Sequence, residues 1–210
     1  MEGFFVTGTD TDVGKTVVSA WLLAHLDAAH LEACYWKPVQ AGTAPETDSA
    51  TVLRLSGVDG RRILPEPIAP HEAAPRAGIT IEMAKLLVPP CDGGLLVVEG
   101  AGGAMVPLND DALVIDLAEE LWLPVILVAR STLGTINHTL LSLEAIRRRG
   151  LPLAGVVING PETPHNRAAI ERYGQVEVIA EIPWLDTVDR AALLAIEPEI
   201  DLGKLAQEAA

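Results

Sequence analysis

The stretch Gly8-Thr9-Asp10-Thr11-Asp12-Val13-Gly14-Lys15-Thr16 decides the fold. It follows the short apolar run Phe4-Phe5-Val6 and precedes an amphipathic segment that opens at Val17. A strand, a glycine-containing loop and a helix in that order turn successive backbone N–H groups inward. The helix behind the loop adds its positive end, which makes a cradle for phosphate. Lys15 then reaches the β- and γ-phosphates of a nucleotide, and the Thr16 hydroxyl meets the magnesium ion that bridges them. The common spacing sets four residues between the first glycine and the Gly-Lys-Thr; here five intervene, with Thr9 where that glycine is expected. The competing reading is an ordinary glycine-containing turn.

Composition narrows the classes. At 210 residues the chain has the length of one compact α/β domain, 1–210, and its 49% hydrophobic share supplies a sizeable core. Only 4% is aromatic, so Leu, Val, Ile and Ala must build most of that core. A net charge of −14 repels nucleic acid and anionic membranes, and phosphates must be held by focused local groups. Cys34 and Cys91 form no CxxC pattern, which argues against a disulfide scaffold or a thiolate metal site. Neither a signal peptide nor a run of transmembrane length is evident, so a soluble, cytoplasmic protein is expected.

Apolar runs alternate with helical patterns along the chain. Strands are expected at Glu2 to Thr7, Glu32 to Lys37, Leu95 to Val98, Val125 to Ala129, Ala154 to Ile158 and Val176 to Ala180. Helices are expected at Val17 to Ala29, Asp48 to Leu55, Ile81 to Val88, Ala112 to Leu121, Thr135 to Arg149 and Asn166 to Tyr173. In the first of these Val17, Ala20, Trp21, Ala24 and Ala28 share a face, while His25 and His30 read as solvated. The Pro- and Gly-rich stretch 57–79 reads as an irregular loop on the substrate side. Continuous apolar strands between helices mean a parallel sheet covered on both faces, an α/β architecture that, with its glycine loop, resembles the P-loop NTPases. Ligands of such sheets bind beyond the C-terminal ends of the strands, where Lys15, Lys37 and Glu99 fall.

Glu99 closes a run of four apolar residues and suits a magnesium site, the alternative being a carboxylate that starts a turn. Asp48 competes between the same ion and a helix N-cap. Lys37 either stabilises developing negative charge or snorkels to the surface.

Taken together, the motifs resemble the dethiobiotin synthetase family. The matching blocks are Thr7 to Thr16, Lys37-Pro38-Val39 with Gly42, Val98 to Gly103, Leu133 to His138, Asn159, and Glu181 to Leu185. They span nearly the whole chain. The resemblance implies ATP-dependent closure of the ureido ring from 7,8-diaminopelargonate and carbon dioxide. A carbamate and a carbamic–phosphoric anhydride would be the intermediates, with Mg2+ as cofactor and a homodimer as the working form. Carried over residue by residue, it implies catalytic roles for Thr11, Lys15 and Lys37, and metal roles for Thr16, Asp48 and Glu99. Nucleotide contacts would come from Asp12, Val13, Gly14, Lys15, Thr16, Val17, Asp48, Glu99, Gly100, Ala101, Gly102, Asn159, Pro183, Trp184 and Leu185. Substrate contacts would come from Thr11, Lys37, Ala41, Gly134, Thr135 and Asn137, the last three serving the neighbouring subunit.

Some positions stay open. Ala41 stands where Ser or Thr is common in the family, and Gln40 offers a substitute donor. Asp186 and Asp189 compete for the ribose, His71 is either in a segment that resembles the substrate side or a helix-entry histidine without catalytic role, and Trp184 is either a base-pocket or a core residue. Two rivals have other functions: a partitioning or membrane-positioning ATPase, and a nucleotide-binding regulator without catalysis. The non-basic Thr9 and Asp10 and the mostly acidic stretch Glu197 to Ala210 oppose the first. Lys37 opposes the second, because an inert binder has no use for it.

Overall fold

A computed structural model describes residues 2–39, 46–59, 81–87 and 93–208. Its strands are β1 (Gly3–Gly8), β2 (Ala33–Trp36), β3 (Leu95–Gly103), β4 (Val125–Arg130), β5 (Leu153–Asn159) and β6 (Val178–Ile182). They form one parallel sheet in the order β2-β3-β1-β4-β5-β6. The helices are α1 (Lys15–Ala28), α2 (Asp48–Ser56), α3 (Val114–Leu121), α4 (Thr135–Arg148), α5 (Pro164–Gly174), α6 (Arg190–Leu194) and α7 (Leu202–Glu208).

Alternation along β1 splits the core into two layers. Phe4 and Val6 pack with Trp21, Leu22 and Leu26 of α1, Val52 and Leu55 of α2, Leu193 of α6 and Leu202 of α7. Phe5 packs on the other face with Val114 and Leu117 of α3, Leu143 and Ile146 of α4 and Ile170 of α5. All six residues of β1 are buried, as a central strand covered on both sides must be. Each fully buried Val or Phe contributes about 1.5–3 kcal/mol, so the strand that delivers the loop is firmly anchored.

The departures from expectation have tertiary causes. Helix α1 is not amphipathic in place: Val18, Trp21, Leu22, Leu23 and Leu26 are all buried, whereas Ala28 is exposed. It lies between the sheet and the helices α2, α6 and α7, so it has no wide solvent face. His25 is not simply solvated either, since its Nε2 lies 3.0 Å from the Ile196 carbonyl oxygen and its ring stands edge-on to Trp21. Strand β3 runs on through Glu99-Gly100-Ala101-Gly102-Gly103, because its pairing with β1 outweighs the weak strand propensity of glycine. Strand β6 begins two residues later than Val176 and ends at Ile182, its register being set by β5. The expected helix at Ile81 to Val88 is reduced to a single 3-10 turn, Met83–Leu86. Helices α6 and α7 were not foreseen; α7 buries Leu202 and Ala206 despite the acidic residues around it. Most of the irregular stretch 57–79, together with Gln40, Ala41, Gly42, His71 and Cys91, lies outside the described residues. Among the described residues, no helix is long and apolar enough to cross a membrane.

Candidate active site

The glycine loop leaves β1 at Gly8. A side chain there would put Cβ 2.7 Å from Val13 Cγ2 and 2.8 Å from the Asp10 carbonyl oxygen, so the tight turn excludes it. Gly14 has φ 98°, and a Cβ would meet Asn159 Nδ2 at 2.1 Å. Both glycines are therefore required by close approach, and the unusual spacing between them is absorbed inside the turn. Asp12 also takes a positive φ, 56°, which a short acidic residue tolerates.

The loop is tied down from several sides. Thr9 N donates to the Val128 carbonyl at 2.9 Å, and Asn159 Nδ2 donates to the Val13 carbonyl at 3.0 Å. The Asp10 carboxylate accepts from Thr11 N at 2.7 Å and pairs with Arg130 at the end of β4. The Thr11 N–H and the Arg130 guanidinium hold that carboxyl below the usual range.

Helix α1 starts at Lys15 and Thr16, β2 delivers Lys37, α2 starts at Asp48, and β3 carries Glu99 opposite Val6. These side chains meet in one cleft of about 380 Å³, lined also by Thr11, Asp12, Gly14, Ala101 and Gly102. Thr16 Oγ1 lies 3.0 Å from both Asp48 Oδ1 and Glu99 Oε1. Lys37 Nζ is 2.7 Å from Glu99 Oε1 and is also paired with the Asp48 carboxylate. Two of the open choices thereby close. Glu99 is fully buried within a strand and does not start a turn, and Lys37 is only 5% exposed and does not snorkel. The N-cap of α2 is Thr47, accepting from Ala50 N, which leaves the carboxylate of Asp48 to face the cleft.

The Glu99 carboxylate accepts four hydrogen bonds: Thr16 and Lys37 on Oε1, and Ser19 (3.0 Å) and Tyr35 (2.9 Å) on Oε2. Sequence reasoning missed Ser19 and Tyr35, although periodicity points to both. Ser19 is three residues after Thr16 on a helix, and Tyr35 is two residues before Lys37 at a strand's end.

The two buried lysines are pushed in opposite directions. Burial lowers the Lys15 pKa, with the attraction of Glu99 only partly opposing it. Burial is also the largest influence on Lys37, but Glu99 and Asp48 together override it and raise that pKa.

A hydroxyl and two carboxylates within hydrogen-bond distance form an all-oxygen donor set suited to a hard cation. Among the described residues, no group of three or more His, Cys, Asp or Glu could hold an ion without further ligands. The donor set thus fits magnesium completed by phosphate oxygens and water.

Other candidates lie apart from this cleft. Gly134, Thr135 and Asn137 begin α4, with Gly134 as its N-cap at φ 93°, and none of them lines the cleft. Pro183, Trp184 and Leu185 follow β6. Trp184 is 78% exposed, so the core reading fails, and its Nε1 would lie 3.4 Å from a Cβ placed on Gly160, next to Asn159. Asp186 and Asp189 are both exposed, and the Asp189 carboxylate caps α6 by accepting from Ala192 N at 2.9 Å.

A family model described as an AAA domain matches residues 2–192. The chain is 54% identical over 202 residues to the ATP-dependent dethiobiotin synthetase BioD of Paramagnetospirillum magneticum, covering 94% of this chain and 96% of that one. It is 51% identical over 196 residues to the enzyme of the same name from Rhodopseudomonas palustris (strain BisB18), covering 90% and 91%. Among solved structures, a ParA family ATPase from Chlorobium tepidum matches with a TM-score of 0.59 over 92% of this chain and 88% of that one. At 13% identity that likeness shows a common fold and nothing more. Identity near one half, over nine-tenths or more of each chain, shows that the chain belongs to the ATP-dependent dethiobiotin synthetase family.

Proposed function

We propose that the protein closes the ureido ring of dethiobiotin from 7,8-diaminopelargonate and carbon dioxide at the expense of ATP, a step of biotin biosynthesis. Beyond the family, one observation carries this reading: a second buried lysine, Lys37, faces the same cleft as the phosphate loop. A plain nucleotide switch has no need of that charge, whereas phosphoryl transfer to a carbamate develops negative charge that it stabilises.

One amine of the diamine takes up carbon dioxide and loses a proton to give a carbamate. A carbamate oxygen attacks the γ-phosphorus of ATP, ADP departs, and a carbamic–phosphoric anhydride results. The second amine attacks the carbonyl carbon, loses its proton and expels inorganic phosphate, which closes the ring. The protein's part is positioning and charge stabilisation. Lys15 and the amides from Asp12 to Val17 hold the triphosphate, with Ala101 and Gly102 lining the same cleft, whereas Gly100 faces Phe5 and Val114 on the other side of the sheet. Thr11 and Lys37 hold the carbamate. Thr16, Asp48 and Glu99 would hold Mg2+, which would supply positive charge against the charge on the phosphates. Asn159 meets the adenine edge, and Pro183, Trp184 and Leu185 flank the base. These diffusible substrates fit a cytoplasmic enzyme.

The active form is a homodimer. Leu133, Leu141 and Met105 are 102%, 59% and 56% exposed around the start of α4, an apolar surface that a second copy would cover. The helix start at Gly134, Thr135 and Asn137 then receives the neighbour's substrate carboxylate.

Incubation with ATP, magnesium, labelled bicarbonate and diaminopelargonate tests the activity through acid-stable label in the product. Nucleotide turnover that ignores the diamine would return the chain to the ATPases whose fold it shares. Mixing Asn137→Asp with Lys15→Ala tests the shared site. Random exchange makes half the dimers hybrid, each with one intact site, and recovers ~25% of wild-type activity. No recovery would mean that each site is built within one chain.

A further inference from the structure

Arg167 of α5 has all five of its N–H donors engaged. Nε donates to Glu171 at 3.1 Å, Nη1 to Glu181 at 2.9 Å and to Glu199 at 2.8 Å, and Nη2 to Glu199 at 2.7 Å and to the Val178 carbonyl at 3.4 Å. Its hydrogen bonds to Glu199, then to Glu181 and Glu171, keep this guanidinium far above the ordinary arginine range. Three carboxylates around one cation repel one another, so the cluster is more than a surface ion pair needs.

Its geometry indicates what it holds. Glu171 lies one turn along α5, Glu181 is the penultimate residue of β6, and Glu199 belongs to the segment between α6 and α7. Glu199 N also donates to the Ile179 carbonyl at 2.8 Å, so that segment runs against β6. Strand β6 is at the edge of the sheet, paired only with β5 among the strands. On that inner side Ile182 pairs with Asn159, and its carbonyl accepts from Gly160 N at 2.8 Å. Pro183 follows immediately and has no N–H with which to extend the ladder. The arm Pro183-Trp184-Leu185 is thus held at two points: at its start by the end of β6, which Arg167 clamps through Glu181, and at Leu185, which is partly buried against the core. Trp184, largely exposed, has little packing of its own to fix it.

We propose that Arg167 is a positioning residue for the nucleotide base: by clamping Glu181 and Glu199 it fixes the arm Pro183-Trp184-Leu185 against Asn159, so that the indole presents its face to the adenine of ATP. This rests on the assignment of the base to that arm, and the test separates the two.

Dissociation constants for ATP and for inorganic tripolyphosphate, both with magnesium, are measured by calorimetric titration of the full chain. Tripolyphosphate engages the glycine loop but has no base. Trp184→Ala is expected to weaken ATP by about tenfold through loss of aromatic stacking, with tripolyphosphate unchanged. Arg167→Met, through misplacement of the arm, is expected to weaken ATP by about three- to tenfold, again sparing tripolyphosphate. If Trp184→Ala weakens ATP selectively and Arg167→Met does not, the base assignment stands and the role of Arg167 is overturned. If Trp184→Ala leaves ATP unchanged, the base lies elsewhere and the inference falls with it. Equal weakening of both ligands by Arg167→Met would mean a general structural role and would overturn the proposal too. Should Arg167→Met fail to fold, Glu181→Leu removes the contact on the arm side while leaving Arg167 with Glu171 and Glu199, and carries the same expectations.

Discussion

Lys15 and Lys37 are almost equally buried, 6% and 5% exposed, yet their seats are opposites. Among the described residues, the hydrogen bond Lys15 makes is to a neutral acceptor, the Asp10 carbonyl at 3.0 Å. Lys37 is held by two carboxylates. Burial consequently works against the charge on Lys15, while Glu99 and Asp48 secure the charge on Lys37. The difference separates two uses of a buried cation. The loop seat holds a charge that the fold itself does not balance, so its stabilisation must come from an anionic ligand. The seat at the end of β2 is balanced within the protein and also serves the fold.

Lys15→Met should sharpen this contrast most. Turnover falls by on the order of 10³-fold, because a charge on the transferring phosphate is lost. The melting temperature stays at or above that of the wild type, since a desolvated charge has been removed. Ring-closure assays and thermal melts measure the pair of effects, and an inactive variant that also melts several degrees lower would break the contrast.

Lys37→Met also loses activity, and in addition it destabilises the fold by about 3 kcal/mol, because it strands Glu99 as an uncompensated buried charge. Urea unfolding reports this, and the double variant Lys37→Met/Glu99→Gln should regain much of the stability but none of the activity. The pH dependence follows from the sign of the shift. The folded pKa of Lys37 is raised, so its stabilisation is complete below the unfolded value and disappears as pH climbs through the folded one. The stability gap between wild type and Lys37→Met should be flat up to about pH 10 and narrow above it.

Tyr35→Phe should have the smallest effect. It removes one of four hydrogen bonds to Glu99 and costs about 2 kcal/mol, the scale of a bond to a charged acceptor. A variant as stable as the wild type would show that Thr16, Ser19 and Lys37 alone satisfy the carboxylate.

The central half of the site was legible because its signals are local. Gly8 to Thr16, Lys37 and Glu99 each adjoin an apolar strand, and strands of a parallel sheet must deliver their C-terminal residues to one edge. What was illegible depends on partners elsewhere in the chain. The extension of β3 through Gly103 follows from β1, the register of β6 from β5, and the burial of α1 all round from helices that start at Asp48, Arg190 and Leu202. Periodicity within a segment cannot report a neighbour outside it, whether that neighbour is the next strand, as β5 is for β6, or a helix near the end of the chain, as α6 and α7 are for α1.

By itself the sequence determined the loop, the parallel sheet with helices on both faces and the family, since each follows from residue order and from motifs within a few turns or strands. Only the tertiary structure decided between the paired readings: Glu99 as buried acceptor and not a turn residue, Lys37 as ion-paired and not snorkelling, Trp184 as exposed and not core. The physical reason is that burial and pairing are properties of a place in the fold. One residue type in one local pattern is solvated or desolvated, balanced or stranded, according to what the rest of the chain packs beside it.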